Sequence, residues 1–305
     1  MIKNWPVPEN VNDERVDAVL AQLSGFSRAT CAGLIDESRV TVNDKVVSKS
    51  ARVSFGDVIE MTLPEPDLDA VEPVVEFPLV FQDDDIVVID KPAGVAAHPS
   101  PGWGGPTVIG SLEAMGVVLT AFGPPERRGI VHRLDVGTSG LMVVSKSERA
   151  YLHIKDQFRD RTVTKTYHTL VQGRLDPMSG TIDAPIDRHP TSSHRFAVVG
   201  TGRPSITHYD TLESFAYSSL LEVHLETGRT HQIRVHMSAL RHPCCGDLTY
   251  GADPKLAARM GLERQWLHAA HLGFTHPGNS EQVDFYSEHA PDLAQALERA
   301  RHLSS

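Results

Sequence analysis

Cysteine is nearly missing from this chain. Three residues in 305, two of them adjacent at Cys244 and Cys245, cannot build a disulfide framework and fit free thiols in a reducing compartment. No apolar run is long enough to cross a bilayer, and the opening MIKNWPVPEN lacks the apolar stretch of a signal peptide, so a cytoplasmic protein with no membrane partner is expected. Positive charge is also short: 29 Lys and Arg against 39 Asp and Glu leave a net charge of -10, so a polyanion could be held only by a local basic groove. Gly-rich phosphate loops are absent, which argues against a doubly wound nucleotide-binding fold. Histidine is plentiful, at 16, but its spacing does not suit a metal. His231 and His236 stand roughly 140° apart on a helix of about 3.6 residues per turn. His268 and His271 could share a helical face but have no acidic partner at a diagnostic spacing, the zincin pattern is missing, and adjacent cysteines are poor joint ligands. A catalytic metal is not expected. What is present is the 40% hydrophobic content of an ordinary globular protein, at a length that allows one to three domains.

Pattern divides the chain in two. Asp13 is placed to cap a helix whose Val16, Val19, Leu20 and Leu23 share one face and which Gly25 stops. Ser27 is placed to cap a second helix burying Cys31, Leu34 and Ile35. Val40 and Val42 alternate toward an Asn43-Asp44 turn, Val46 and Val47 return, and Gly56-Asp57 turns again before Val58, Ile59 and Met61. This predicts a small α+β module over residues 12–63. Prolines and acids without periodicity predict an extended linker at residues 64–74. Residues 75–305 carry strand-like runs, PLVFQDDDIVVIDKPAG, GIVH, LMVVSKS, VTKTYHTLV and SLLEVHLETG. Helical patterns interrupt them at Tyr151, Ile154 and Phe158 behind Ser147, at Ile233, His236, Met237 and Leu240 behind Thr230, and at Leu293, Leu297 and Ala300 behind Pro291. Strands and helices do not alternate regularly, so the second unit is expected to be a mixed domain rich in antiparallel strands.

Three clusters could carry chemistry. Asp135 lies in RLDVGTSG, a polar turn between apolar runs, with His132 and Arg133 beside it to stabilise an anion or contact phosphate; the plain alternative is a capping or turn aspartate. LETGRTHQIRVH passes from a strand into a helix beginning near Thr230, whose free N–H groups beside Arg229 suit a phosphate. Arg234, Ser238 and Arg241 share a face of that helix, so Arg234 can reach another element, unless this is a solvated basic face. In VTKTYHTLV, Lys165 and Tyr167 alternate onto one face with Val163 and Thr169, where a tyrosine can equally be packing.

Together HRLDVGTSG at 132–140, KTY at 165–167 and TGRTHQIRVH at 227–236 resemble, in this order, the RluA/RluD-type RNA pseudouridine synthases. The resemblance extends through KPAG at 91–94, HPCCGDLTYG at 242–251 and LHAAHLGFTHP at 267–277. Residues 12–62, above all FSRATCAGLIDESRVTVNDKVV, resemble the alpha-L RNA-binding module first known from a small-subunit ribosomal protein. The fold implied is α+β, that module followed by a mixed, mainly antiparallel-sheet catalytic domain.

The resemblance implies isomerisation of uridine in RNA, without cofactor or metal, by an essential aspartate at Asp135. The carboxylate would attack sugar or ring, or assist a glycal route by proton transfer. Arg234 falls on the arginine that pairs with it, lowering its pKa and fixing its orientation. Tyr167 falls on the tyrosine that packs against the base and is a candidate for removing the ring-carbon proton. Arg133 matches a residue placed in the gap left by the extruded base, and Leu267 an apolar residue of the pocket floor. His132, Thr138, Lys165, Arg229 and Thr230 complete the expected substrate contacts, with Lys155, Arg159 and Arg161 as further phosphate contacts. In the N-terminal module Arg28, Arg39, Lys45 and Lys49 are the expected RNA contacts, although Asp36 and Glu37 sit near that surface. Gly137 stands where many family members carry a charge. The implied substrate is ribosomal RNA of the large subunit, free or in assembling particles, acted on by a monomer. Transfer RNA is the other substrate considered, and a non-catalytic RNA-binding assembly protein or a metal hydrolase are the rival classes.

Overall fold

The computed structural model describes residues 2–9, 11–24, 28–62, 73–100 and 103–303. It divides into two compact units, Met1–Val71 and Glu72–Ser305. The expected helix stop at Gly25, the cap at Ser27 and most of the linker lie outside the described residues.

The first unit contains β1 (Ile2–Pro6), β2 (Glu14–Arg15), α1 (Val16–Ser24), α2 (Arg28–Asp36), β3 (Val40–Val42), β4 (Lys45–Val46), β5 (Arg52–Val53) and β6 (Val58–Thr62). Val16, Val19 and Leu20 of α1 meet Cys31, Leu34 and Ile35 of α2 over Val40, Ile59 and Met61. The expected turn is present: Asn43 and Asp44 both have positive φ, as a tight two-residue hairpin demands, and the sheet order is β1-β6-β3-β4. Asp13 does not cap α1. Its φ is 57° and its carboxylate pairs with Arg52, because residues 14 and 15 pair with β5 before the helix begins.

The second unit contains β7 (Leu79–Gln82), β8 (Ile86–Lys91), α3 (Val108–Ala114), β9 (Ser139–Ser145), α4 (Glu148–Asp160), β10 (Thr164–Gln172), β11 (Ser179–Asp183), β12 (Ile186–His189), β13 (Ser192–Val198), β14 (Ile206–Ser214), β15 (Ser218–Leu225), α5 (Gln232–Ala239), α6 (Pro254–Met260), β16 (Leu267–Thr275), β17 (Gln282–Tyr286) and α7 (Pro291–His302). The main sheet runs β11-β14-β15-β10-β16-β9-β8-β7, with β17 also pairing β16. It is antiparallel except where His268 and Ala269 pair in parallel with Ser139 and Gly140. The runs IVVI and LMVV are unbroken rather than alternating because β8 and β9 are covered on both faces. Val87, Ile89, Met142 and Val144 pack with Val108 and Leu112 of α3, while Ile86, Val88, Leu141 and Val143 pack with Ala150 and Ile154 of α4.

Three expectations for this unit need correction. GIVH is not a strand: Ile130 makes only an isolated bridge to Val144. His268 and His271 lie on β16, not on a helix, in a buried segment whose alanines and leucine mimic helical composition. And α5 begins at Gln232 rather than near Thr230, because the Gln232 side chain folds back to accept from Arg229 N and Thr227 Oγ1 at 3.0 and 2.8 Å.

Candidate active site

Asp135 projects from the loop before β9, and the backbone around it is held from several directions. Leu134 anchors the loop in the core, Thr138 N donates to Asp135 O at 3.0 Å, and Gly94 N donates to Val136 O at 2.8 Å. The buried Lys91 ammonium reaches the Pro92, Val95 and Val136 carbonyls at 2.9, 2.8 and 3.4 Å; burial pushes its pKa down to about 7. Arg264 Nη1 donates to Gly137 O at 2.9 Å. Gly140 closes the segment with φ 110°, and a Cβ there would lie 2.3 Å from the Ala269 carbonyl oxygen, so only glycine allows β9 and β16 to approach. A Cβ at Gly137 would lie 2.6 Å from the end of the Gln265 side chain, which would have to move aside.

Arg234 is brought to Asp135 as expected, with Nη1 3.2 Å from Oδ2. It is 7% exposed, which removes the solvated-face alternative. Its other donors grip Asp247, Nε to Oδ2 at 2.6 Å and Nη2 to Oδ1 at 3.0 Å, and its guanidinium lies 4.9 Å from the centre of the Tyr250 ring. Burial works against its charge, but the hydrogen bonds and field of Asp247, then of Asp135, outweigh it and raise the pKa. Ser238 instead donates to Tyr250 O, and Arg241 lies beyond the helix, so the three do not form one exposed face.

A cavity of about 110 Å³ opens on Asp135 and is lined by Thr138, Leu267, Thr230 and Arg234. Tyr167, Arg133 and Arg229 line both this room and a wider trough of about 650 Å³. The trough brings together Arg127, Lys155, Arg159, Arg161 and Lys165, a basic groove on an acidic chain. The Tyr167 phenol is pushed above its ordinary pKa by burial and by the Asp135 charge, so its hydroxyl keeps its proton in the empty site. His132 lines the trough but cannot act there as a cation. It stacks on Phe158 at 4.6 Å, its Nε2 accepts the Val143 N–H at 3.0 Å, and burial lowers its pKa to about 3. The turn before α5 is also less open to phosphate than expected, since Arg229 N and Gln232 N already donate within it.

Among the N-terminal cations, Arg28 is held by Asp17, Arg39 by Glu37 and Lys49 by Asp36, while Lys45 is exposed on β4. Among the described residues no three His, Cys, Asp or Glu side chains are grouped to hold a metal, and no helix is long and apolar enough to cross a membrane. Sequence reasoning missed Lys91, His231, Asp247 and Tyr250. Three of them lie inside KPAG and HPCCGDLTYG, where nothing in the spacing assigns them a role, and the spacing of His231 bears only on metal binding.

Residues 85–239 match the family model for RNA pseudouridylate synthase, and residues 14–59 match the S4 domain. The chain is 54% identical over 306 residues to an uncharacterized RNA pseudouridine synthase of Mycobacterium tuberculosis (strain CDC 1551 / Oshkosh), covering 98% of each. It is 40% identical over 305 residues to ribosomal large subunit pseudouridine synthase D of Nitrosomonas europaea, covering 97% of this chain and 87% of that one. The solved structure of human RNA pseudouridylate synthase domain containing 1 superposes with a TM-score of 0.59 at 28% identity, covering 77% of this chain and 90% of that one.

Proposed function

Because the chain belongs to the RNA pseudouridylate synthase family, an isomerase family, and carries an S4 RNA-binding domain, we propose that it converts specific uridines of large-subunit ribosomal RNA to pseudouridine through Asp135. The observation that carries this reading is the Asp135–Arg234–Asp247 array opening through a small room into a basic trough. The bond from ribose C1′ to uracil N1 breaks, the base turns, C5 joins C1′, and the proton lost from C5 is balanced by one gained at N1. A stacked uridine covers these atoms, so the nucleotide must leave the stack, at a cost of a few kcal/mol that is least in loops. The inner room suits a single ring, and Tyr167 at its mouth offers a face for the base. Arg234 holds Asp135 Oδ2 at 3.2 Å and so orients the carboxylate for either the nucleophilic or the proton-transfer route. Arg133, Lys165 and Arg229 are suited to flanking phosphates. The names of relatives such as the Nitrosomonas synthase support large-subunit RNA as substrate.

Tritium release from RNA labelled at uracil C5 tests this, because label leaves only when C5 joins the sugar. Wild type is expected to release it from large-subunit transcripts or assembled subunits, and Asp135→Asn is not. Release from transfer RNA alone would replace the substrate class. Binding without release from any of these RNAs would favour a non-catalytic RNA-binding protein.

A further inference from the structure

Asp135 faces a second nitrogen besides those of Arg234. His231 Nε2 lies 3.7 Å from Asp135 Oδ2, the same oxygen that Arg234 Nη1 reaches at 3.2 Å. The other imidazole nitrogen is occupied: Nδ1 is 2.8 Å from Tyr250 Oη, and that oxygen accepts the Phe196 N–H at 3.1 Å. A phenol oxygen that accepts from an N–H still has its own hydrogen to give. It can give that hydrogen to Nδ1, and the Asp135 carboxylate beside Nε2 favours this arrangement, with the proton of the neutral ring on Nε2. Burial favours that neutral form, against the opposing field of Asp135. Phe196 and Tyr250 meet the ring edge-on at 5.8 and 5.6 Å, so its orientation is fixed. The backbone is bent to put it there. His231 has φ 57° and ψ 21° immediately before α5, a left-handed conformation that a residue with a β-carbon seldom adopts.

We propose that His231 is a positioning residue for Asp135, an inference that rests on the pseudouridine synthase reading of this site. From a ring pinned by Tyr250 it presents an N–H to Oδ2. With Arg234 it fixes one carboxylate oxygen and leaves Oδ1 for the nucleotide. At 3.7 Å the contact is electrostatic rather than a hydrogen bond, and it closes as the nucleotide fills the room, as catalytic contacts in empty sites commonly do.

Two replacements separate positioning from architecture. Asparagine tolerates the left-handed backbone and keeps an amide near Nδ1, but has nothing at Nε2. Glutamine places an amide donor near Nε2. In the full-length protein, with C5-tritiated large-subunit transcript, the single-turnover rate of His231→Asn is expected to fall on the order of 10²-fold, the scale of a misplacement of about 1 Å. Its RNA affinity and Tm should match wild type, and His231→Gln should recover much of the rate. A wild-type rate in His231→Asn would overturn the inference. So would equal slowing of both variants with a lowered Tm, since that describes a structural histidine. Activity in wild type and its loss in Asp135→Asn uphold the reading of the site independently of either result. Wild type without release would remove the reading and the inference together.

Discussion

Arg234 serves two carboxylates, and the one farther from the cavity sets the cost of removing it. Asp247 is 2% exposed and takes two of the guanidinium donors, so Arg234→Met leaves a buried charge without its partner as well as freeing Asp135. That should destabilise the protein by about 3–5 kcal/mol, measured by denaturant unfolding, besides abolishing turnover. A wild-type midpoint would exclude the Asp247 pair. Asp135→Asn is different, because it keeps the side-chain shape and the Asp247 pair: stability within about 1 kcal/mol of wild type and no pseudouridine are expected. Turnover near the wild-type rate would remove Asp135 from the chemistry. Tyr167→Phe should slow the reaction while leaving RNA affinity close to wild type, since the packing ring remains. An unchanged rate would leave the hydroxyl without a part. The pairing of Asp135 with Arg234 was legible from the motifs that bear them. Asp247 was not, because a carboxylate thirteen residues past its arginine reads like any loop aspartate until the fold buries it.

Elements were legible where one physical signal decided them. The apolar spacing in α1, α2, α4 and α7 places their buried faces without help from tertiary structure, and Ser147 caps α4 as expected, accepting from Ala150 N at 3.1 Å. Where a side chain rewires the backbone, the signal failed. Thr230 looks like a cap, but Gln232 takes the local donors and starts α5 two residues later. The same kind of hidden contact ties α1 to α2. Asp17 is 4% exposed and receives both Arg15 and Arg28, whose hydrogen bonds outweigh the opposing effect of burial and hold its carboxyl down to about 2. A pKa lowered on folding stabilises fully above the unfolded value near 3.9 and is lost as pH falls through the folded one. With both arginines about half exposed, the contribution is discounted to roughly 1–2 kcal/mol. Asp17→Asn should therefore lower stability at neutral pH and flatten its fall between about pH 4 and pH 2, followed by acid unfolding of the full chain. Parallel curves for the two proteins would place no ionised carboxylate at this joint.

At the scale of the molecule, composition averages away what matters. A net charge of -10 hides a trough lined by Arg127, Lys155, Arg159, Arg161 and Lys165, because sequence distance does not report which charges share a wall. Histidine shows the same loss of information: spacing along the chain gives no metal site, yet folding gathers His168, His268 and His289 from three separate segments near the loop that carries Asp135. His168 Nδ1 lies 2.8 Å from His289 Nε2, and the His289 ring meets Trp266 at 4.8 Å. His268 bridges Ser139 at 3.0 Å and Ser287 at 3.1 Å, and Ser139 also accepts from Arg264, which holds the Gly137 carbonyl. Burial lowers the pKa of His268 and His289 to about 4 each, and that of His168 below its ordinary value despite Glu222. At His268 and His289 the unfolded chain binds protons near pH 6.5 and the folded one only near 4, so their contribution to stability is complete above 6.5 and drains away as pH falls across that window. Each unit between the two values is worth roughly 1.4 kcal/mol, shared among coupled groups. Ser287 gives its hydrogen to Asp90 and so accepts from His268 Nε2, which leaves Nδ1 to accept from Ser139; protonating His268 reverses that bond, so the loop that carries Asp135 should loosen over the same range. The expected outcome is a parallel fall of Tm and turnover from about pH 6.5 to 4, blunted in His289→Phe, which keeps the edge contact with Trp266 and cannot titrate. A Tm flat across that range in wild type would mean that the three rings take up protons as readily folded as unfolded.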